Sequence, residues 1–206
     1  MARIDAPLLH LFLITFFHQL IFDTPQLTQF ISRCAPKFKI LDKAYLDFLD
    51  YFGTPNVALH SQEPLFEWLI FGVSSNQSDW QLSFMTQMCS SSFPPGLIPT
   101  VENLYIEESN GGWNPLWQDD IEGSQWLELL HPFTGVKALY ISEKYTPRIA
   151  PALQELVGER TTEVLPALQT LCLRDLFPSR PVQDAIDQFV AARKLAGHLV
   201  TVSRWR

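Results

Sequence analysis

One short pattern returns along this chain: a proline or its substitute, then apolar residues two, five and seven positions later. Pro166 opens PALQTLCL, with Leu168, Leu171 and Leu173, and Pro99 opens PTVENLYI, with Val101, Leu104 and Ile106. Thr134 takes the proline's place in TGVKALYI, with Val136, Leu139 and Ile141. Pro64 leads to Phe66, Leu69 and Phe71, and Pro7 leads to Leu9, Phe12 and Ile14. Pro36 keeps Phe38 and Leu41 but puts Lys43 where the third apolar residue belongs. The starts at 7, 36, 64, 99, 134 and 166 lie 29, 28, 35, 35 and 32 residues apart, and a weak seventh unit ends the chain near GHLVTVSRW. Recurrence at such spacings is what stacked supersecondary units produce, so it constrains the fold more than any local propensity.

The spacing h-x-x-h-x-h is that of a leucine-rich-repeat strand, whose apolar side chains turn inward and stack on the next strand. Proline at the entry fixes the approach to a strand where no ladder donor is needed. Between strands the apolar period lengthens to that of a helix. The segment 24–35 has Thr24 as N-cap and Pro25 in the first turn, and 78–89 puts Trp80, Phe84, Met85 and Met88 on one face. Residues 125–133 repeat the pattern with Trp126, Leu129 and Leu130. In 146–158 Thr146 is read as the cap, Pro147 as the first-turn proline and Gly158 as the stop. The clearest helix is 179–197, with Val182, Ile186, Phe189, Val190 and Leu195 inward and Gly197 beyond its end. Two strands around Gly53-Thr54-Pro55 are expected as a small β insertion over 45–61, and 111–120 reads as a surface loop. The expectation is α/β: a single domain over 1–206, an irregular leucine-rich-repeat solenoid with parallel strands on the concave side and helices on the convex side.

Composition narrows the functions open to such a scaffold. Lys and Arg number 15 against 22 Asp and Glu, a formal charge of −7, so a broad footprint on nucleic-acid phosphates is not expected. Glycines number 9 against 15 prolines, which disfavours phosphate-cradling loops. Cys34, Cys89 and Cys172 are an odd, widely spaced set, without a C-x-x-C pair, and fit reduced thiols in a cytoplasmic or nuclear protein. The apolar run LLHLFLITFFHQLIF at 8–22 spans 15 residues, short of the roughly 20 a membrane helix needs, and His10, His18 and Gln19 interrupt it. Crowded Phe, Ile and Leu there suit a buried strand, and no membrane partner is expected.

Motifs for nucleophilic, zinc-hydrolytic and nucleotide chemistry are missing, and His10, His18, His60, His131 and His198 have no second ligand three or four residues away. No enzyme activity, cofactor or metal is therefore expected, and neighbouring carboxylates such as Asp119-Asp120 read as solvated loop charge. The residues flanking the last apolar position of each repeat point out of the core instead. In the later repeats these are Ile70 and Gly72, Tyr105 and Glu107, Tyr140 and Ser142, Cys172 and Arg174. A patch of Tyr105, Tyr140 and Ser142 rimmed by Glu107 and Arg174 is the candidate protein-binding site, since tyrosine and arginine dominate interface hot spots. Seven strands give a sheet roughly 30 Å wide, the scale of a protein surface. The bland alternative is that the tyrosines cover the sheet beneath a loop.

Long strings carry a resemblance: FFHQLIFDTPQLTQFISR (16–33), SDWQLSFMTQMCSSSFP (78–94), WLELLHPFTGVKALYISE (126–143), PRIAPALQELVGERTTEVLPALQTLCL (147–173) and the VSRW ending. Together they resemble the C-terminal portion of large fungal F-box proteins with degenerate leucine-rich repeats. That resemblance implies a repeat module that selects a protein substrate for a ubiquitin ligase. The first repeat strand is expected to start at Pro7, leaving no room for an F-box, so docking to the ligase scaffold is not expected of this chain. Two other readings stay open: a remnant of a longer F-box protein without independent function, and a small membrane-anchored protein held by residues 8–22.

Overall fold

The computed structural model describes residues 11–17, 29, 41–48, 56–61, 68–74, 78–93, 96–107, 122–174 and 178–205. Among the described residues eight strands form one sheet: β1 (Leu11–Phe17), β2 (Leu41–Asp47), β3 (Asn56–Ser61), β4 (Trp68–Ser74), β5 (Asn103–Glu107), β6 (Ala138–Ile141), β7 (Thr170–Leu173) and β8 (Thr201–Arg204). Their order across the sheet is β1-β4-β3-β2-β5-β6-β7-β8. Of these strands β3 alone runs against its neighbours; β2, β5, β6, β7 and β8 form an unbroken parallel run of five. The helices are α1 (Ser78–Gln87), α2 (Gly123–Leu130), α3 (Thr146–Gln154) and α4 (Arg180–Leu195). Each packs against the next in chain order. The last three bridge successive parallel strands, as crossover connections must. The chain is therefore α/β.

The parallel run keeps one register. Ala44, Leu104, Leu139, Leu171 and Val202 pair in a row, and Leu46, Ile106, Ile141, Leu173 and Arg204 pair in the next. From β2 to β7 those apolar rows are buried and join residues of all four helices in one core. The strand entries are fastened by recurring bonds: Glu102 N–H to Asp42 C=O, Lys137 N–H to Glu102 C=O, Gln169 N–H to Lys137 C=O and Thr201 N–H to Gln169 C=O, at 2.8–3.1 Å. An ion pair of 2.6 Å between half-exposed Lys137 and Glu102 adds to the β5–β6 entry.

The spacing rule holds for strand position and departs in three places. First, the N-terminal strands are not laid down in chain order: β4 lies beside β1, with Phe12 opposite Leu69 and Ile14 opposite Phe71, and β2 is the neighbour of β5. Second, the strand expected from Pro36 begins at Leu41, so its apolar triplet is Leu41, Ala44 and Leu46, three residues beyond the expected frame. Third, Tyr45–Asp47 belong to that parallel strand, and the β insertion is reduced to β3, antiparallel to both β2 and β4. The turn at 53–55, the loop at 111–120, and the 24–35 helix apart from Gln29 lie outside the described residues.

Helix ends follow local chemistry, with two corrections. Thr146 does not cap α3; it is buried in the first turn and its Oγ1 donates to the Ser142 carbonyl at 2.9 Å. Leu195 is 90% exposed and takes no part in the core, whereas Val182, Ile186 and Phe189 of α4 are buried. Pro181 and Pro147 occupy first turns, where the missing N–H is no loss. Gly158 and Gly197 take φ of +61° and +83° beyond the ends of α3 and α4. Residues 11–17 of the apolar N-terminal run are strand, and no helix among the described residues is long and apolar enough to cross a membrane.

Candidate protein-binding surface

In β5 and β6 buried and half-exposed residues alternate: Leu104 and Ile106 go inward, as do Leu139 and Ile141, and Asn103, Tyr105, Glu107, Ala138 and Tyr140 form the other face. β2 does the same with Lys43, Tyr45 and Asp47 outward. Because the register is shared, Tyr45, Tyr105 and Tyr140 fall side by side. Their rings stack: centroids are 4.5 Å apart at 9° between Tyr45 and Tyr105, and 4.2 Å apart at 10° between Tyr105 and Tyr140. Trp205, one residue beyond β8, meets Tyr140 edge-on at 5.7 Å and 84°, and Tyr105 at 6.1 Å and 74°. Its indole N–H donates to the Ile141 carbonyl at 3.3 Å and its backbone N–H to the Leu173 carbonyl at 3.2 Å, which holds the ring over the ladder. Small residues flank the stack in register: Ala58 opposite Tyr45 on one side, Cys172 and then Ser203 beyond Tyr140 on the other.

A charged row lies one step further along the strands. Asp47 pairs with Glu107, and just past the ends of β6, β7 and β8 the N–H groups of Ser142, Arg174 and Trp205 donate to the carbonyls of Ile106, Ile141 and Leu173. Burial, then the Asp47 charge, pushes the Glu107 carboxyl up, and the Arg174 guanidinium pulls it partly back. Burial also pushes the Tyr105 phenol up, helped by Tyr140, Tyr45 and Glu107. Tyr45 is raised by burial, then by Glu107 and Asp42. Arg174 spreads over the Trp205 ring at 5.5 Å, a cation–π contact that ties the charged row to the aromatic one.

Four of the five residues singled out from the sequence thus meet here: Tyr105, Tyr140, Glu107 and Arg174. Ser142 is a correction. It is only 5% exposed, because it sits at the tight β6–α3 junction where its carbonyl receives the Thr146 hydroxyl, and its own Oγ has no hydrogen-bond partner among the described residues. Cys172 is buried too, with its Sγ 3.2 Å from the Ser203 hydroxyl. Tyr45, Asp47 and Trp205 are additions. The signal for the first two was present, since Tyr45 precedes Leu46 as Tyr105 precedes Ile106, but the frame taken from Pro36 hid it.

The helix side offers a different cavity, an open groove of about 560 Å³ lined by Thr86, Ser124, Glu128, His131, Glu155 and Arg160 among others. Arg160 there is paired with Glu163 at 2.7 Å. No group of three or more His, Cys, Asp or Glu that could hold a metal exists among the described residues. The buried Cys89 thiol is pushed well up by desolvation, so it is not a nucleophile. What the geometry defines is an α/β scaffold with an aromatic, acid-rimmed sheet face. Compared with known proteins, the chain matches no family model, no curated protein and no solved structure.

Proposed function

We propose that this chain is a protein-interaction module of the irregular leucine-rich-repeat type, and that the partner docks on the sheet face built by Tyr45, Tyr105, Tyr140 and Trp205. The stacked ladder carries this reading. Three tyrosines and a tryptophan, partly exposed on one face, make a contiguous aromatic patch where scattered surface rings would say little. The repeat reading is supported by the shared register and the recurring entry bonds of five parallel strands. It is also supported by burial: an all-parallel sheet packed on both faces reads as continuous apolar strands, whereas β2, β5 and β6 alternate. Repeat modules of this type present such faces to proteins. The resemblance to F-box repeat regions adds the finer proposal that the partner is a protein marked for ubiquitination. Affinity capture with the intact chain, compared with a Tyr105→Ala/Tyr140→Ala variant, tests the site. Loss of a captured protein, reproduced with that protein purified, is the expected outcome. Capture of the same proteins by both chains removes the sheet face from consideration.

A further inference from the structure

The edge of the parallel run has its own chemistry, apart from the aromatic face. β8 pairs with β7 on one side, and among the described residues no strand lies on its other side. A parallel ladder bonds alternate residues of a strand to the same neighbour. The Thr201 N–H donates to the Gln169 carbonyl and the Trp205 N–H to the Leu173 carbonyl, so Thr201, Ser203 and Trp205 turn their backbone groups to β7. Val202 and Arg204 therefore turn theirs to the open edge, two donors and two acceptors in line. Their side chains belong to the helix side of the sheet, since they pair with buried Leu171 and Leu173. Val202 is exposed, as are Leu199 in the α4–β8 connection and Leu195 in the last turn of α4. A proline or a bulge closes such an edge, and β8 has neither.

Charge selects what this edge accepts. Residues 188–206 hold four of the chain's 15 Lys and Arg and none of its 22 Asp and Glu. Arg193 is turned inward to the Val164 and Leu165 carbonyls. Lys194, beside Leu195, and Arg204, the helix-side neighbour of Val202, are exposed, and neither forms an ion pair with a described residue. We propose that β8 takes up, as a further strand, an extended acidic segment of another protein, with an apolar residue beside Val202 and an Asp or Glu two positions away beside Arg204. Backbone bonds to Val202 and Arg204 supply the affinity, and the two side-chain positions supply the choice. Arg204 stands in a row that is apolar from β2 to β7, so it opposes an all-apolar strand and admits one with a carboxylate at that place. A second copy of β8 brings cations and no carboxylate to the edge, and is the poorer occupant.

Random dodecapeptides displayed on phage and selected on the full chain are the probe, with the selected peptides synthesised and titrated. Expected is enrichment of an acidic residue two positions from an apolar one, and slowed hydrogen exchange at the Val202 and Arg204 amides on binding. Val202→Pro takes only an edge-facing N–H from β8 and is expected to abolish binding. Arg204→Glu is expected to weaken it about fivefold, with recovery when lysine replaces the acidic residue of the peptide. N-methylation of the peptide backbone at alternate positions gives the same loss with the native chain, which keeps the result readable if a variant does not fold. Tyr105→Ala/Tyr140→Ala is expected to leave this binding unchanged. Peptides lost with the tyrosines but indifferent to Val202→Pro and Arg204→Glu overturn the edge site and leave the sheet face standing. Neutral or basic peptides, no enriched peptide, or a dimer of the chain in sedimentation that Val202→Pro dissolves also overturn it.

Discussion

Single residues carry much of the strain and polarity in this molecule, and Arg193 carries the most. It is fully buried on α4, an expensive place for a guanidinium, and burial holds its pKa below the usual arginine value. Its Nη2 donates to the carbonyls of Val164 and Leu165 at 2.7 and 2.8 Å, and its carbon stands 5.3 Å from the Phe189 ring centre. Leu165 has φ of +51°, a left-handed conformation that costs a leucine about 1–3 kcal/mol and persists only where the surroundings enforce it. Arg193 supplies that enforcement. Arg193→Ala removes the bonds to both carbonyls, of which Leu165 keeps only that from the Leu168 N–H, and leaves a cavity, so urea unfolding is expected to show a loss of about 3 kcal/mol, with Arg193→Lys in between. Gly135 is constrained from the other side: a Cβ there would come within 2.0 Å of the Pro99 backbone oxygen. Gly135→Ala is expected to destabilise by about 2 kcal/mol or more, because a backbone atom cannot step aside as a side chain can. Glu107 makes stability pH-dependent. Its folded pKa is raised, so the folded chain holds the proton more tightly than the unfolded chain, and that stabilisation is present below the ordinary glutamate pKa and lost as pH rises through the raised value. Glu107→Gln removes this slope. The variant should therefore gain stability relative to the native chain between pH 4 and pH 7, measured by urea midpoints, and parallel midpoints across that range would contradict the assignment.

At the scale of elements, the sequence shows where strands and helices lie better than which strands meet. The pairs Leu104-Ile106, Leu139-Ile141 and Leu171-Leu173 sit in consecutive strands as their spacing implies, with Val101, Val136 and Leu168 buried just ahead of them, because a period-2 strand with one buried face has a strongly specified register. β2 was misread for a physical reason. Its middle apolar residue is Ala44, and Asp42, Lys43 and Asp47 surround it, so Phe38 and Leu41 offered a more apolar but wrong frame behind Pro36. Tyr45 and Asp47 left the candidate site with it. Ser142 was misplaced because alternation was carried one residue past the end of β6, into the turn that starts α3. Leu195 illustrates the same limit in a helix: it continues the apolar spacing of α4, yet the last turn passes the edge of the core. Leu195→Gln is accordingly expected to change stability by less than about 0.5 kcal/mol, against a loss of several kcal/mol for Phe189→Ala on the same helix, both read from thermal unfolding.

Across the whole molecule, the contrast between the two ends of the parallel run follows from what each strand has on either side. β5, β6 and β7 have a paired strand on both edges and fully buried Leu104, Leu139 and Leu171 beneath them. β8 closes the described sheet with one free edge, and Val202 at 40% and Leu199 at 71% exposure show that the apolar row fades there. Local contact density sets the free energy of local opening, so an eight-stranded sheet built this way should not exchange its amides uniformly. The order across β1-β4-β3-β2 could not be read from spacing, since β3 interposes an antiparallel strand and a parallel strand carries no mark of which neighbour it will take. Trp205 makes the C-terminal end a special case: it is anchored to Ile141 and Leu173 while the strand leading to it is an edge. Native-state hydrogen exchange is expected to give β5–β7 amides the protection of global unfolding and β8 amides a lower, separate opening free energy. Trp205→Ala removes two edge-on aromatic contacts and the Arg174 stacking, together about 2 kcal/mol, and should lower the β8 value much more than that of β6. Equal losses in both strands would mean that β8 opens only with the whole sheet, and that the aromatic ladder is roofed as firmly as the core is packed.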